Sequence, residues 1–236
     1  MDQQVATAIQ SEQFEQQSPQ EVLGWALKTF HPRIAMAWSG AEDVAVVDMM
    51  LKINPKARIF TLDTGRLNQE TYELIAEVQK KYGITLEIMF PERATTEQMV
   101  RTKGMNLFYE SIENRKLCCG IRKVEPLNRM LGELDAWVTG LRRGQAVTRT
   151  KLQKVEIDEA HKGIVKVNPI ADWTLDQVWD YIKKNKVPHN KLHDQGFPSI
   201  GCEPCTRAVK PGEDERAGRW WWELPEQKEC GLHVKH

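Results

Sequence analysis

Five cysteines carry most of the chemistry this 236-residue sequence can offer. Cys118 and Cys119 are adjacent, Cys202 and Cys205 form a C-x-x-C, and Cys230 stands alone six residues from the end. Four thiols in two tight pairs read as one metal or cluster site. Adjacent cysteines are awkward for one tetrahedral ion, because both side chains must bend toward a single centre. A [4Fe–4S] cluster spreads its ligand positions over several irons, so neighbouring cysteines can each take a different metal. A four-cysteine zinc site is the competing reading. A thioredoxin-like redox pair at Cys202–Cys205 is a third, weakened by its place in a late loop. Cys230, in Glu229-Cys230-Gly231-Leu232-His233, is either a small hydrophobe or a nucleophile on a mobile arm. Lys228 and His233 beside it would favour the reactive thiolate.

The basic residues are the second resource. Lys123 follows the double cysteine, Arg142-Arg143 follow a strand end, and Arg216 and Arg219 flank Gly218 ahead of Trp220-Trp221-Trp222. Singly each reads as solvated surface; together they could hold a sulfate or phosphate dianion. The basic run Arg142–Lys154 lacks interleaved aromatics, which argues against nucleic acid. His189 and His193 lie in a loop without the carboxylates that would complete a zinc site, so no metal is assigned to them.

These residues must be positioned by a fold, and the chain is long enough for one catalytic domain over 1–236 with a sizeable core, 41% of its residues being apolar. With 33 basic and 33 acidic residues, bulk charge gives no argument for nucleic acid or a membrane surface. No apolar run approaches the ~18 residues of a membrane helix, and the Gln-rich Met1–Gln20 stretch is too polar for a signal peptide. An odd number of cysteines suits a reducing cytoplasm better than a disulfide framework.

Ser18-Pro19-Gln20-Glu21 is a capping box opening a helix to about Phe30. Short apolar runs at 33–38, 58–62, 85–90 and 136–139 read as strands, with further strand-like pieces at 153–157 and 164–168. Helical patterns lie between them at 42–53, 68–82, 95–103 and 117–132, and another follows at 174–185. This alternation predicts an α/β fold, an open mostly parallel sheet over about 33–170 with helices on both faces. The loop-rich segment 186–236 is expected to fold over the sheet's active edge. Ligands of such sheets bind beyond the strands' carboxyl ends. Three polar, glycine-containing loops fall there: Ser39-Gly40-Ala41-Glu42-Asp43, Asp63-Thr64-Gly65-Arg66 and Gly140-Leu141-Arg142-Arg143.

With these loops, Cys118-Cys119-Gly120-Ile121-Arg122-Lys123, Ser199-Ile200-Gly201-Cys202-Glu203-Pro204-Cys205-Thr206, Gly218-Arg219-Trp220-Trp221-Trp222-Glu223 and Glu229-Cys230-Gly231-Leu232-His233, the chain from about Trp38 to His233 resembles the cluster-containing assimilatory adenylyl-sulfate (APS) reductases of the PAPS reductase family. The resemblance implies an adenine-nucleotide α-hydrolase-like fold related to the ATP pyrophosphatases. Their S-G-G-x-D-S loop is altered here by Ala41 and Val44, which argues against ATP cleavage. The resemblance further implies a [4Fe–4S] cluster on Cys118, Cys119, Cys202 and Cys205, with Cys230 attacking the sulfur of APS to leave an S-sulfocysteine and AMP. Thioredoxin or a similar dithiol would then release sulfite. Lys123 would act between cluster and substrate. Arg142 or Arg143, Arg216, Arg219 and His233 would contact sulfate and phosphate, and Ser39, Gly40, Leu62 and Gly65 would line the adenosine site.

The rival readings are a PAPS or dual APS/PAPS reductase, a cluster-bearing tRNA thiolation enzyme and a zinc-binding module. Glu42 and Asp43 are expected to repel a 3′-phosphate and so favour APS. The sequence leaves the oligomeric state open, a homo-oligomer included.

Overall fold

The computed structural model describes residues 3–146, 149–224 and 228. Six strands, β1 (Ile34–Ala37), β2 (Arg58–Leu62), β3 (Glu87–Met89), β4 (Ala136–Val138), β5 (Val155–Asp158) and β6 (Ile164–Val167), form one sheet in the order β3-β2-β1-β4-β6-β5. All neighbours are parallel except the β5–β6 hairpin, which closes one edge antiparallel with Glu156 opposite Lys166. The mostly parallel α/β sheet is the one expected. The antiparallel edge is a finding, since single strands do not reveal their pairing direction.

Strand alternation sends side chains to two separate cores. Ile34, Met36, Ile59, Val138 and Val167 face one side. That side is covered by α1 (Gln3–Gln10), α2 (Pro19–Phe30), α3 (Val44–Ile53), α4 (Gln69–Tyr82) and α8 (Leu175–Asn185). Ala35, Phe60 and Trp137 face the other, beneath Leu127, Met130 and Leu131 of α7 (Glu125–Leu131). The capping box at Ser18 is present, Ser18 Oγ accepting from Glu21 N–H at 3.3 Å. Asp48 of α3 is 2% exposed and accepts from Tyr82 (2.8 Å) and Tyr181 (2.6 Å), which ties α4 and α8 to it.

Two elements differ from the expected pattern. The Gln-rich stretch forms α1, because Val5 and Ile9 lie four residues apart on one helical face and both are buried. The expected 117–132 helix starts earlier. Ser111 caps α6 (Ile112–Cys119) by accepting from Asn114 N–H at 3.1 Å. A π-helical segment, Gly120–Val124, then widens the helix directly after the cysteine pair and carries it into α7. α5 (Arg93–Lys103) brings Met99 against the cysteines.

Candidate active site

The turn after β1 is closed by its own aspartate: Asp43 accepts from Ser39 N–H (2.7 Å) and Ala41 N–H (3.2 Å). Gly40 sits at φ +80°, and a Cβ there would meet Thr71 Cγ2 at 2.7 Å, so only glycine fits. The fully buried Asn190 locks the turn from outside, donating to Gly40 O (2.9 Å) and Thr71 Oγ1 (3.1 Å). Burial, and then the neighbouring charge of Glu42, push the Asp43 carboxyl up to about 7, against the pull of its N–H donors.

A cavity of about 190 Å³ opens at the carboxyl ends of β1, β2 and β4. Its lining combines apolar residues, Leu62, Leu67, Leu141 and Ile200 among them, with the cations Lys123, Arg149, Arg216 and Arg219 and the carboxylates Glu42 and Asp43. Apolar residues and cations in one cavity suit a ligand that carries both a flat apolar ring and an anion.

The second cavity, about 20 Å³, is lined by all four paired cysteines. Three features of the chain bring them together. The first is the buried Arg115, whose Nε and Nη2 donate to Glu223 Oε1 (2.9 Å) and Oε2 (2.7 Å). The second is a short pairing in the C-terminal segment, where Trp220 N–H donates to Cys205 O at 3.1 Å and Arg207 N–H to Gly218 O at 3.0 Å. The third is Arg122, which donates to Thr64 O at 2.6 Å beside the loop after β2. Trp220 lies between two guanidinium groups, Arg115 at 4.8 Å and Arg219 at 4.7 Å from its ring. Gly201 makes room for the second, since a Cβ there would overlap the Arg219 guanidinium.

The thiols are electrostatically unequal. Burial raises Cys202, but Lys123, the Thr64 hydroxyl at 3.2 Å and Arg219 outweigh it, leaving this thiol below its ordinary value. Cys205 is pushed up to about 12 by burial and the adjacent Cys202, and burial also raises Cys118. The four thiols form no disulfide and surround their cavity without meeting at a point. Among the described residues no three His, Cys, Asp or Glu side chains gather closely enough for a single ion. Trp220, one of the residues lining this cavity, has its Nε1 buried with no hydrogen-bond partner. Lys123 and Trp220 line both cavities.

Of the residues singled out in the sequence, Ser39, Leu62, Lys123, Arg216 and Arg219 line the larger cavity, whereas Gly40 and Gly65 shape its loops from behind. Arg142 and Arg143 are corrections. Arg142 is 2% exposed and donates to Glu42 (3.1 Å) and Glu215 (3.0 Å). Arg143 turns away to Glu15 and to Leu152 O. Carboxylates claim both cations, and Arg149, a turn further on, reaches the cavity instead. Arg149 was hidden in the basic run, and Trp137 in a strand whose inward alternation was its only signal. Cys230 and His233 lie outside the described residues. His189 Nε2 lies 3.2 Å from Asp194 Oδ2, away from both cavities' cysteines and cations.

A mostly parallel sheet with a cavity at its carboxyl edge and four thiols beside that cavity defines an α/β nucleotide-binding fold. The chain belongs to the phosphoadenosine phosphosulfate reductase domain family, matched over residues 33–208. A protein of Burkholderia cepacia named adenosine 5′-phosphosulfate reductase is 53% identical over 205 residues, covering 86% of this chain and 82% of that one. A protein of the same name from Pseudomonas aeruginosa is 46% identical over 222 residues, covering 92% and 82%. The phosphoadenylyl-sulfate (PAPS) reductase of Candida auris, solved as a phosphate complex, superposes with a TM-score of 0.73 at 32% identity, covering 89% and 98%.

Asp43 gives a stability test. An aspartate with a raised folded pKa binds more protons folded than unfolded, so its contribution is full below about pH 4 and is lost as pH rises through about 7. Asp43→Asn is therefore expected to lose less thermal stability than the wild type between pH 5 and pH 8. Parallel slopes for the two proteins would refute the assignment.

Proposed function

We propose that this protein reduces adenylyl sulfate to sulfite and AMP in assimilatory sulfate reduction, with the whole chain working as one catalytic unit. The observation that carries the reading is the shared wall: Lys123 and Trp220 line both the nucleotide-sized cavity and the four-cysteine cavity. APS suits a cavity of this lining, since it carries both an aromatic base and a phosphosulfate that Lys123, Arg149, Arg216 and Arg219 would hold. The names of the Burkholderia and Pseudomonas relatives support the same substrate.

The chemistry follows from this placement. The Cys230 thiolate attacks the sulfate sulfur, the bond from that sulfur to the bridging oxygen breaks, and AMP leaves with the electron pair. Lys123 and the three arginines offset the charge on both fragments. The S-sulfocysteine left on Cys230 is then attacked at its own sulfur by a thiolate of thioredoxin or a similar dithiol donor. Sulfite departs, and the donor's second thiol resolves the mixed disulfide, so the donor supplies both electrons. The Lys228 carbonyl accepts from Arg216 Nη2 at 3.0 Å, which brings Lys228 to a cavity-lining arginine. His233 would act on the same anion from the tail.

Cys118, Cys119, Cys202 and Cys205 would hold a [4Fe–4S] cluster. Four cysteines lining one cavity, two of them adjacent in sequence, suit several metal centres better than one ion. When bound, the cluster would supply negative charge and hydrogen-bond acceptors beside Lys123. No helix among the described residues is long and apolar enough to cross a membrane. The reduced thiols suit a cytoplasmic setting, and a homo-oligomer is compatible with the site.

The Candida auris neighbour favours a second reading, use of PAPS. The repulsion expected of Glu42 and Asp43 toward a 3′-phosphate is reduced, not removed, since Glu42 is paired with Arg142 and the Asp43 carboxyl is pushed up to about 7.

Cys230→Ser is expected to abolish sulfite release while AMP affinity stays within about threefold, a change below ~0.7 kcal/mol. A sulfite-bearing mass adduct on any other cysteine would overturn the nucleophile. Cys119→Ser is expected to lose iron and stability together, because cluster binding and folding are coupled; full iron and sulfide content in that variant counts against four-cysteine ligation. Initial rates with both nucleotides are expected to favour APS at least tenfold in kcat/KM, about 1.4 kcal/mol. Equal or higher specificity for PAPS moves the protein to the second reading.

A further inference from the structure

The basic run after β4 holds three arginines, and their surroundings differ. Arg142 and Arg143 are taken up by the carboxylates Glu42, Glu215 and Glu15. Arg149 lines the larger cavity, and there it is gripped by an amide, the side chain of Gln145.

Gln145 closes the short 3₁₀ turn Arg143–Gln145 and is half-buried. Its carboxamide is engaged at both ends. Oε1 accepts from the Arg142 backbone N–H at 3.1 Å and from Arg149 Nη1 at 2.6 Å. Nε2 donates to Glu42 Oε1 at 3.2 Å, the oxygen that also accepts from Arg142 Nη2 at 3.1 Å. These partners fix which way the amide points, since two donors face its oxygen and a carboxylate faces its nitrogen. Turned over, it would set N–H against N–H at one end and oxygen against carboxylate at the other. Glu42 is 5% exposed in the loop after β1 and is itself held by Arg142. A fixed acceptor on that loop therefore aims the Gln145 oxygen at Arg149.

The choice of an amide has an electrostatic consequence. A neutral oxygen restrains the guanidinium without adding a negative charge beside it, whereas a glutamate at 145 would offset that charge and face Glu42. An arginine restrained in this way has less rotamer freedom to lose when an anion binds, which favours binding. The gain is the same for the bound substrate and the transition state, so it is felt in affinity and not in turnover.

We infer that Gln145 is a positioning residue for the anionic end of the substrate, acting through Arg149 and oriented by Glu42. The inference rests on the reading of the larger cavity as the adenylyl-sulfate site.

Calorimetric titration of the holoprotein with AMP, and with adenosine, which lacks the anion, tests this. Gln145→Met keeps the length of the side chain and removes both of its polar ends. It is expected to weaken AMP about fivefold, ~1 kcal/mol, and to leave adenosine within about twofold. With adenylyl sulfate its KM should rise about fivefold while kcat stays within about twofold. In an Arg149→Met background, Gln145→Met should cause no further loss of AMP affinity, the coupling that a double-mutant cycle isolates. If Gln145→Met does not fold, Gln145→Ala takes its place with the same expectations. Unchanged AMP affinity, a matching loss for adenosine, a fall confined to kcat, or an equal loss with and without Arg149 overturns the inference and leaves the nucleotide reading in place. A wild-type protein that binds neither AMP nor adenosine removes both.

Discussion

A guanidinium buried as deeply as that of Arg115 has to be neutralised where it lies, and Glu223 does this from 108 residues further along the chain. Forming such a pair brings little net stability, since both charges must leave water. Removing one partner is costly, about 3–5 kcal/mol, because the other is left buried and uncompensated. The contact therefore acts as a constraint on arrangement. It obliges the C-terminal segment to lie on α6, and with that segment come Cys202, Cys205 and Trp220. Trp220 then fills the space between Arg115 and Arg219 with its backbone at φ +40°, a conformation that non-glycine residues keep only when their surroundings demand it. The meeting of the two cysteine pairs is a consequence of this packing.

A second ion network does comparable work on the nucleotide side. Arg142 joins Glu42 of the loop after β1 to Glu215 of the C-terminal segment. Three loops from distant parts of the sequence are thereby held at one edge of the sheet. The two networks meet where Lys123 and Trp220 form a common wall between thiols and anion. A group bound on either side of that wall changes the field on the other, which is the physical basis for placing sulfur chemistry beside a cysteine site.

Much of the fold was legible because it is local. Apolar runs marked the strands, Ser18 announced its helix by capping, and the pairing of the cysteines announced a shared site. Helix α1 was missed because glutamines mask a two-residue apolar stripe, Val5 and Ile9, that acquires meaning only against the core. The direction of β5 was not legible because pairing depends on which strand arrives beside it. The arginines misled for the same reason. A strand-end Arg142-Arg143 looks like an anion clamp until Glu42, Glu215 and Glu15 are seen to claim both.

Residue types and near-neighbour spacing establish which chemistry is available here: four paired thiols, a lone fifth one, and a surplus of cations at strand ends. Those properties survive in any fold that buries the same runs. Which cations face the ligand and which are consumed as struts is a matter of packing. A long side chain goes to the strongest partner within reach, and those partners come from loops that are far apart along the chain. The same holds for Trp137, an ordinary core tryptophan in sequence. Its indole N–H finds a buried acceptor because Asp158, held by His161, approaches it from a hairpin later in the chain, a meeting that no local pattern encodes.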